Sequence, residues 1–150
     1  MSRALQIVGV LNVTPDSFHD GGRFTDVASA LTCVKQMLEE GADIIEVGGE
    51  STGPRSPDIS AEDEERRVLP VIEAITQSFP DARISVDTYK SSVAAKAIAR
   101  GVTMINDVTA GRGDARMFAV LKESPAKLVL MYSKDATPRT TIGDVQYMDV

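Results

Sequence analysis

The sequence predicts an α/β fold in which parallel β-strands alternate with α-helices. Five short apolar runs rich in Val and Ile are separated by amphipathic stretches whose apolar residues recur at helical spacing. Uninterrupted apolar runs of this kind are typical of parallel strands that are buried on both faces of a sheet. An open doubly wound sheet and a (β/α)8 barrel both have this pattern, and both bind ligands at the carboxyl ends of the strands.

Each of the five strands is predicted where an apolar run lies. The runs are short and rich in β-branched residues, and polar residues or glycine follow most of them. The predicted strands are residues 7–11, 44–47, 84–86, 104–105 and 128–131.

The first two helices are predicted from apolar stripes with clear start or stop signals. The first stripe ends before Gly41, a residue type that commonly ends a helix. The second helix begins at the capping residue Ser60, and the charged residues 62–67 are expected to form a solvated face. The stripes are Val27, Leu31, Val34 and Leu38 in the first helix, and Val68, Ile72, Ile75 and Phe79 in the second.

Two further helices complete the pattern βαβαβαβαβ. The third ends at Gly101, and the fourth runs from near Asp114 to Pro125. Their apolar residues are Val93, Ala94, Ala97 and Ile98 in the third helix, and Met117, Phe118 and Leu121 in the fourth. The 150 residues hold four and a half βα units, whereas an eight-unit barrel takes about 250 residues. In a barrel, residues 1–150 would therefore be the N-terminal part of one domain.

Composition excludes several classes of function. The chain has 16 Lys and Arg against 22 Asp and Glu, and the net charge of −6 disfavours binding to nucleic acid or to an anionic membrane. No apolar run approaches the roughly 18 residues of a membrane span. A single cysteine, Cys33, cannot form an internal disulfide or a cysteine-based metal site. We expect a cytoplasmic protein.

Polar residues follow the predicted strands at their carboxyl ends. They are Asn12, Glu50, Thr52, Asp87, Asn106 and Asp107. Each could simply cap the helix that follows it, but four successive strands that end in such groups predict one binding rim. A rim of carboxylate and amide oxygens suits a ligand rich in N–H donors, such as a pterin or a purine edge. Two glycine-containing loops, residues 12–22 and 48–55, are suited to phosphate or Mg²⁺.

These loops closely resemble those of dihydropteroate synthase, a pterin-binding family with a TIM barrel fold. Residues 9–18, Gly-Val-Leu-Asn-Val-Thr-Pro-Asp-Ser-Phe, are similar to the first-loop signature of the family. Residues 48–52 resemble its second loop, although Gly53 stands where the family usually has arginine. Residues 85–88 and 105–108 resemble its third and fourth strand ends. The resemblance spans the chain and implies the N-terminal half of the barrel.

The resemblance implies an activity in folate biosynthesis. The family condenses 6-hydroxymethyl-7,8-dihydropterin diphosphate with p-aminobenzoate, which gives 7,8-dihydropteroate and pyrophosphate, and sulfonamides inhibit it. The cofactor implied is Mg²⁺, and the partners implied are these small-molecule substrates. A half-barrel would also leave two open strand edges through which a second copy can pair.

The resemblance also implies roles for individual residues. Asp87 and Asn106 would bind the pterin edge, in a pocket lined by Val108 and Met131. Asn12 would bind Mg²⁺ and, together with Thr52, the diphosphate. The residues implied for the p-aminobenzoate pocket are Phe18, Thr52 and Pro54, and those implied for catalysis are Asp87, Asn12 and Asp20.

Two other functions compete with this one. A methyltetrahydrofolate-binding methyltransferase barrel would share the Asp and Asn pterin edge. A catalytically inactive half-barrel would keep the same residues as helix caps. Glu50 is expected to hold its loop through hydrogen bonds to backbone N–H groups and not to bind a ligand.

Overall fold

The computed structural model describes residues 5–14, 23–53, 56–132 and 138, and within them five strands alternate with four helices as the sequence predicts. The strands are β1 (Val8–Asn12), β2 (Ile44–Gly48), β3 (Arg83–Asp87), β4 (Met104–Asp107) and β5 (Lys127–Leu130). The helices are α1 (Arg23–Glu39), α2 (Ala61–Ser78), α3 (Ser91–Ile98) and α4 (Met117–Lys122). No helix among the described residues is long and apolar enough to cross a membrane.

The order of the strands decides between the two predicted architectures. The sheet runs β1-β2-β3-β4-β5, and every neighbouring pair is parallel. A doubly wound sheet reverses its direction at a switch point and places helices on both faces. Here the order never reverses, and each helix packs against the next one, from α1 to α4. The described chain therefore has the geometry of consecutive units of a (β/α)8 barrel.

The core lies between the sheet and the helices. One register row of the sheet faces the helices and is buried, because successive side chains of a strand point to opposite faces. That row consists of Leu11, Val47, Val86 and Ile105. The helices contribute the predicted stripe residues Val34, Val68, Ile72, Ile75, Val93, Ala94, Ala97 and Met117.

The prediction that every strand is buried on both faces is wrong for the two edge strands. Val10 in β1 is 53% exposed and Val129 in β5 is 42% exposed, whereas β2 and β3 are buried along most of their length. The face opposite the helices is the interior of a barrel, where side chains from facing strands fill the space. At β1 and β5 the described residues provide no such cover.

Most helix boundaries agree with the capping signals. Ser60 accepts a hydrogen bond from the Asp63 backbone N–H at 3.0 Å, and Gly41 adopts φ +100° just after α1. The charged face of α2 is not fully solvated as predicted, since Glu64 is buried and Arg67 donates to the Gly49 carbonyl at 2.8 Å. Helix α4 is shorter than predicted, and its Phe118 is half exposed.

Candidate active site

Three predicted site residues lie in one register row at the carboxyl edge of the sheet. Asn12 pairs with Gly48, Gly48 with Asp87, and Asp87 with Asn106. The row lies one residue beyond the buried row that faces the helices, so it faces the barrel interior. The structure therefore places Asn12, Asp87 and Asn106 on one face, as predicted.

Gly48 leaves space between two of these side chains. A Cβ atom at this position would lie 3.3 Å from Asn12 Oδ1 and 3.8 Å from Asp87 Cβ. A larger residue in the row would therefore fill the gap between the amide and the carboxylate. A Cβ atom at Gly48 would therefore require the Asn12 side chain to move by a few tenths of an ångström.

A cleft of about 310 Å³ opens at this edge. It brings Thr52, which lies in the loop after β2, to the same space as Asn12 and Asp87. The other lining residues are Thr14, Glu50, Ser51 and Gly53. Hydroxyl, amide and carboxylate oxygens therefore line the cleft, which suits N–H donors and hard cations.

Glu46 orients Asn106, and the sequence analysis did not identify it. The Asn106 amide nitrogen donates to Glu46 Oε1 at 3.3 Å, and Ser85 Oγ donates to Glu46 Oε2 at 3.0 Å. Because its nitrogen is used in this way, Asn106 presents its amide oxygen as the acceptor for a ligand N–H group. The alternation along β2 could have identified Glu46, since it lies two residues before Gly48 and on the same face.

The environment of Asp87 favours its protonated form. Burial, and to a lesser extent the negative charges of Glu46, Glu64, Asp107 and Glu50, together raise the pKa of its carboxyl to about 7. A ligand that donates N–H groups to the carboxylate or carries positive charge would favour the ionised form. Helix α3 begins after Lys90 without a side-chain cap, so Asp87 does not cap it and is a candidate ligand-binding group.

Asp107 does not belong to the rim, contrary to the prediction. Its side chain is buried and accepts hydrogen bonds from the backbone N–H groups of Thr109 and Gly111 at 2.8 and 2.9 Å, and from Thr109 Oγ1 at 2.7 Å. It therefore holds the turn that follows β4. In a strand, Asp107 points away from its neighbour Asn106, to the helix side.

Glu50 holds its loop as expected, and side chains of the next loop are among its partners. Its carboxylate accepts a hydrogen bond from the Tyr89 hydroxyl at 3.1 Å and is paired with the Lys90 ammonium. The predicted partners are backbone N–H groups, and no sequence pattern indicates Tyr89, Lys90 or Glu64. No periodic pattern relates these residues, since they come from different elements.

The remaining predicted site residues do not line the described cleft, or they lie outside the described residues. Val108 is buried in the turn after β4, and Met131 lies just after β5, where its N–H donates to the Asp107 carbonyl at 3.2 Å. Their place in a pterin pocket stays a prediction. Phe18, Asp20 and Pro54 lie outside the described residues.

The oxygen donors at the cleft fit the kind of site that Mg²⁺ occupies beside a phosphate. Among the described residues, no group of three or more His, Cys, Asp or Glu could hold a metal ion on its own. Mg²⁺ commonly binds through one or two protein oxygens together with substrate phosphates and water. Asn12, beside Asp87 and Thr52, could supply such a ligand.

In the diphosphate site that the family resemblance implies, we expect Gly48→Ala to weaken binding and leave the fold intact. The new methyl group would displace the Asn12 side chain by a few tenths of an ångström, and small misplacements at a site cost affinity, here about tenfold. Titration with pyrophosphate in the intact protein would measure the loss. Gly9→Ala is a control in the same sheet, because its methyl group would lie 2.9 Å from Met37 Sδ and 3.4 Å from Ala42 Cβ and would touch no residue of the cleft. Equal affinity in the two variants would contradict this role of Gly48.

Comparison with known proteins agrees with this geometry. The sequence model of a family described as "Pterin binding enzyme" matches residues 8–150. The chain is 51% identical over 129 residues to dihydropteroate synthase of Streptococcus pyogenes serotype M1, which is 86% of this chain and 48% of that protein. The chain thus spans about half the length of the curated relatives it matches.

Two crystal structures are similar in fold as well as in sequence. One is dihydropteroate synthase from Clostridium difficile in the presence of pteroic acid, with a TM-score of 0.82 and 44% identity over 88% of this chain and 50% of that chain. The other is the enzyme from Xanthomonas albilineans with 4-aminobenzoic acid, with a TM-score of 0.81 and 39% identity over 96% of this chain and 49% of that chain.

Proposed function

We propose, since this chain belongs to the pterin binding enzyme family, that it forms the N-terminal half of a dihydropteroate synthase barrel. The substrates would be 6-hydroxymethyl-7,8-dihydropterin diphosphate and p-aminobenzoate. The observation that best supports this proposal is the register row that aligns Asp87 with Asn106, whose amide is oriented by Glu46. The names of the similar proteins favour this function over the methyltransferase alternative.

In this proposal Asp87 and Asn106 recognise the pterin. The ionised carboxylate of Asp87 and the amide oxygen of Asn106 accept hydrogen bonds from ring and amino N–H groups of the ligand. Val108 and Met131 would line the same pocket. The pterin ring has adjacent N–H donors, which match the two acceptors that Asp87 and Asn106 provide on neighbouring strands.

The reaction then replaces one bond by another at the pterin methylene carbon. The bond from this carbon to the diphosphate oxygen breaks, and its electron pair leaves with pyrophosphate. The amine nitrogen of p-aminobenzoate forms the new bond to carbon and loses a proton. Positive charge that develops at the methylene carbon is stabilised by the negative charges of Asp87 and Glu46.

The diphosphate is assigned to Asn12 and Thr52. Both line the cleft beside Asp87, and their polar groups would position the leaving group. Mg²⁺, when bound at Asn12, would stabilise negative charge on the departing pyrophosphate. Phe18, Asp20, Thr52 and Pro54 would form the p-aminobenzoate pocket and hold the amine for attack, which requires positioning and no activated nucleophile.

The proposal extends to location and partners. We place the protein in the cytoplasm, with small-molecule substrates and without nucleic acid or membrane partners, because the chain is acidic and has a single cysteine. We also propose that the protein forms a homodimer.

We expect the intact protein to release pyrophosphate only when both substrates and Mg²⁺ are present. Sulfonamides should inhibit the reaction in competition with p-aminobenzoate. A coupled pyrophosphate assay, with omission of each component in turn, measures both effects. Methyl transfer to an acceptor without pyrophosphate release would contradict the proposal and support the methyltransferase alternative.

A further inference from the structure

A buried ionic cluster joins the loop after β2 to the loop after β3. From here on, the second loop means residues Gly49–Gly53 of this chain, which follow β2. The ionic cluster consists of Glu50, Glu64, Tyr89 and Lys90. The Lys90 ammonium lies between two carboxylates: it is paired with Glu50 and donates to Glu64 Oε2 at 2.6 Å. Its Nζ atom also lies 4.4 Å from the centre of the Tyr89 ring.

The cluster is well shielded from water. The side chains of Lys90, Glu50 and Glu64 are 15%, 4% and 1% exposed, respectively. Burial lowers the pKa of Lys90, but the hydrogen bonds to Glu50 and Glu64 outweigh it, so the pKa is raised overall and the ammonium stays charged. A buried pair of this kind resists opening, because separation would leave a charge without its partner.

The second loop is also fixed to α2 at its base. Arg67 donates to the Gly49 carbonyl at 2.8 Å, and a Cβ atom on Gly49 would lie 2.6 Å from Val68 Cγ1. The loop therefore packs tightly on α2 at Gly49 and is tied to the β3–α3 connection at Glu50. Thr52 lies two residues after Glu50, and Asp87 lies three residues before Lys90.

We propose that Lys90 is a positioning residue that fixes the diphosphate-binding side of the cleft relative to Asp87. It acts through Glu50 and touches no substrate. This inference depends on the proposed function for the identity of the ligands. Removal of the ammonium should release the second loop, and with it Thr52, while the register row that holds Asp87 and Asn106 stays in place.

The test compares Lys90→Met with Lys96→Met in the intact protein. Lys96 in α3 pairs with Glu65 of α2 at 2.6 Å, and the two side chains are 53% and 11% exposed. That variant therefore removes a more exposed ion pair that does not include Glu50. In Lys90→Met we expect the KM for the pterin diphosphate to rise about tenfold or more, because small misplacements at a site are costly. Affinity for the pterin without its diphosphate should stay within about twofold, since its contacts are unchanged.

Tyr89→Phe covers the case in which Lys90→Met fails to fold. It removes only the hydroxyl that donates to Glu50 and leaves both Lys90 pairs intact. We expect a smaller change in the same direction, about threefold in KM. Equal losses for the pterin and its diphosphate, or no loss in either variant that folds, would overturn the proposal.

Hydrogen exchange provides a measurement that does not depend on the reaction. Backbone amides of residues 50–53 should exchange faster in Lys90→Met than in the unchanged protein or in Lys96→Met. Unchanged exchange in the second loop would refute the positioning role of Lys90, even if the protein had another substrate. Absence of pyrophosphate release by the unchanged protein would instead refute the proposed function.

Discussion

Asp87→Asn is expected to abolish turnover and to weaken pterin binding by about 10²-fold or more in the intact protein. In the proposed complex the carboxylate would accept two N–H donors of the pterin, whereas an Asn amide would replace one acceptor with a donor that faces a ligand donor. Calorimetric titration with 6-hydroxymethylpterin measures the loss. Unchanged affinity in this variant would refute the assigned role of Asp87 in pterin binding.

The pH dependence of binding is part of the same result. The pKa of Asp87 is raised to about 7, with burial as the largest cause, so its carboxylate is mostly protonated below pH 7. Pterin affinity is therefore expected to fall as the pH decreases below 7, by at most about tenfold per unit if only the ionised form binds. The residual affinity of Asp87→Asn should lack this dependence.

The same substitution should stabilise the fold at high pH. The folded-state pKa lies above the ordinary value of 3.8, so ionisation of Asp87 destabilises the folded protein. This destabilisation is absent below about pH 4 and reaches its full size above pH 7. A shift of this size lowers the free energy of unfolding by at most ~4 kcal/mol. Because the side chain is partly exposed, we expect Asp87→Asn to restore about half of that free energy at pH 8. Denaturant unfolding at pH 4 and pH 8 measures the change.

Asp107→Asn is the matched contrast for both effects. Asp107 lies next to Asn106, but its carboxylate accepts three hydrogen bonds from its own turn. Its substitution should lower the free energy of unfolding, by about 1–3 kcal/mol. If both variants changed stability in the same direction, the distinction between a ligand group and a turn group would be wrong.

The 150-residue chain on its own is expected to be inactive and not a well-behaved monomer. Val8, Val10, Val129 and Met131 are 40% to 53% exposed along the edge strands or just after β5. Among the described residues, β1 and β5 each have a neighbour on one side only. Unpaired strand edges beside exposed apolar side chains favour association.

Light scattering and a pyrophosphate assay on residues 1–150 test this expectation. Dimers or larger species without turnover would agree with it. The loss of activity should be on the order of 10²-fold or more, because even one preorganised group at a reaction centre can contribute that much. A compact, monodisperse monomer with measurable turnover would contradict the half-barrel interpretation.

The strand ends show how much of the site could be predicted from the sequence. Asn12, Asp87 and Asn106 were identified because parallel strands bring their carboxyl ends to one edge. The prediction needed no register, since each residue lies at the end of its own apolar run. Thr52 was found in the same way, as part of a loop that leaves that edge.

Local signals also determined most of the helix boundaries. Ser60 begins α2, and Gly41 and Gly101, with φ of +100° and +94°, follow α1 and α3. These signals depend on residues that are neighbours in sequence, so they are present before any tertiary contact. The alternation of strands and helices left two architectures open, because strand order depends on contacts between distant segments. The resemblance to a barrel family favoured one of them, and the strand order confirms it.

By itself, the sequence determined the alternation of strands and helices and the polar groups at the strand ends. Only the tertiary structure decided the strand order, the register row through Gly48, the role of Glu46 and the cluster around Lys90. The sequence pattern places Glu64 on a solvated helix face, but it is buried and pairs with Lys90, which lies 26 residues away in a separate loop. Local patterns reflect periodicity and backbone preference, whereas such pairs depend on which distant side chains the fold brings together.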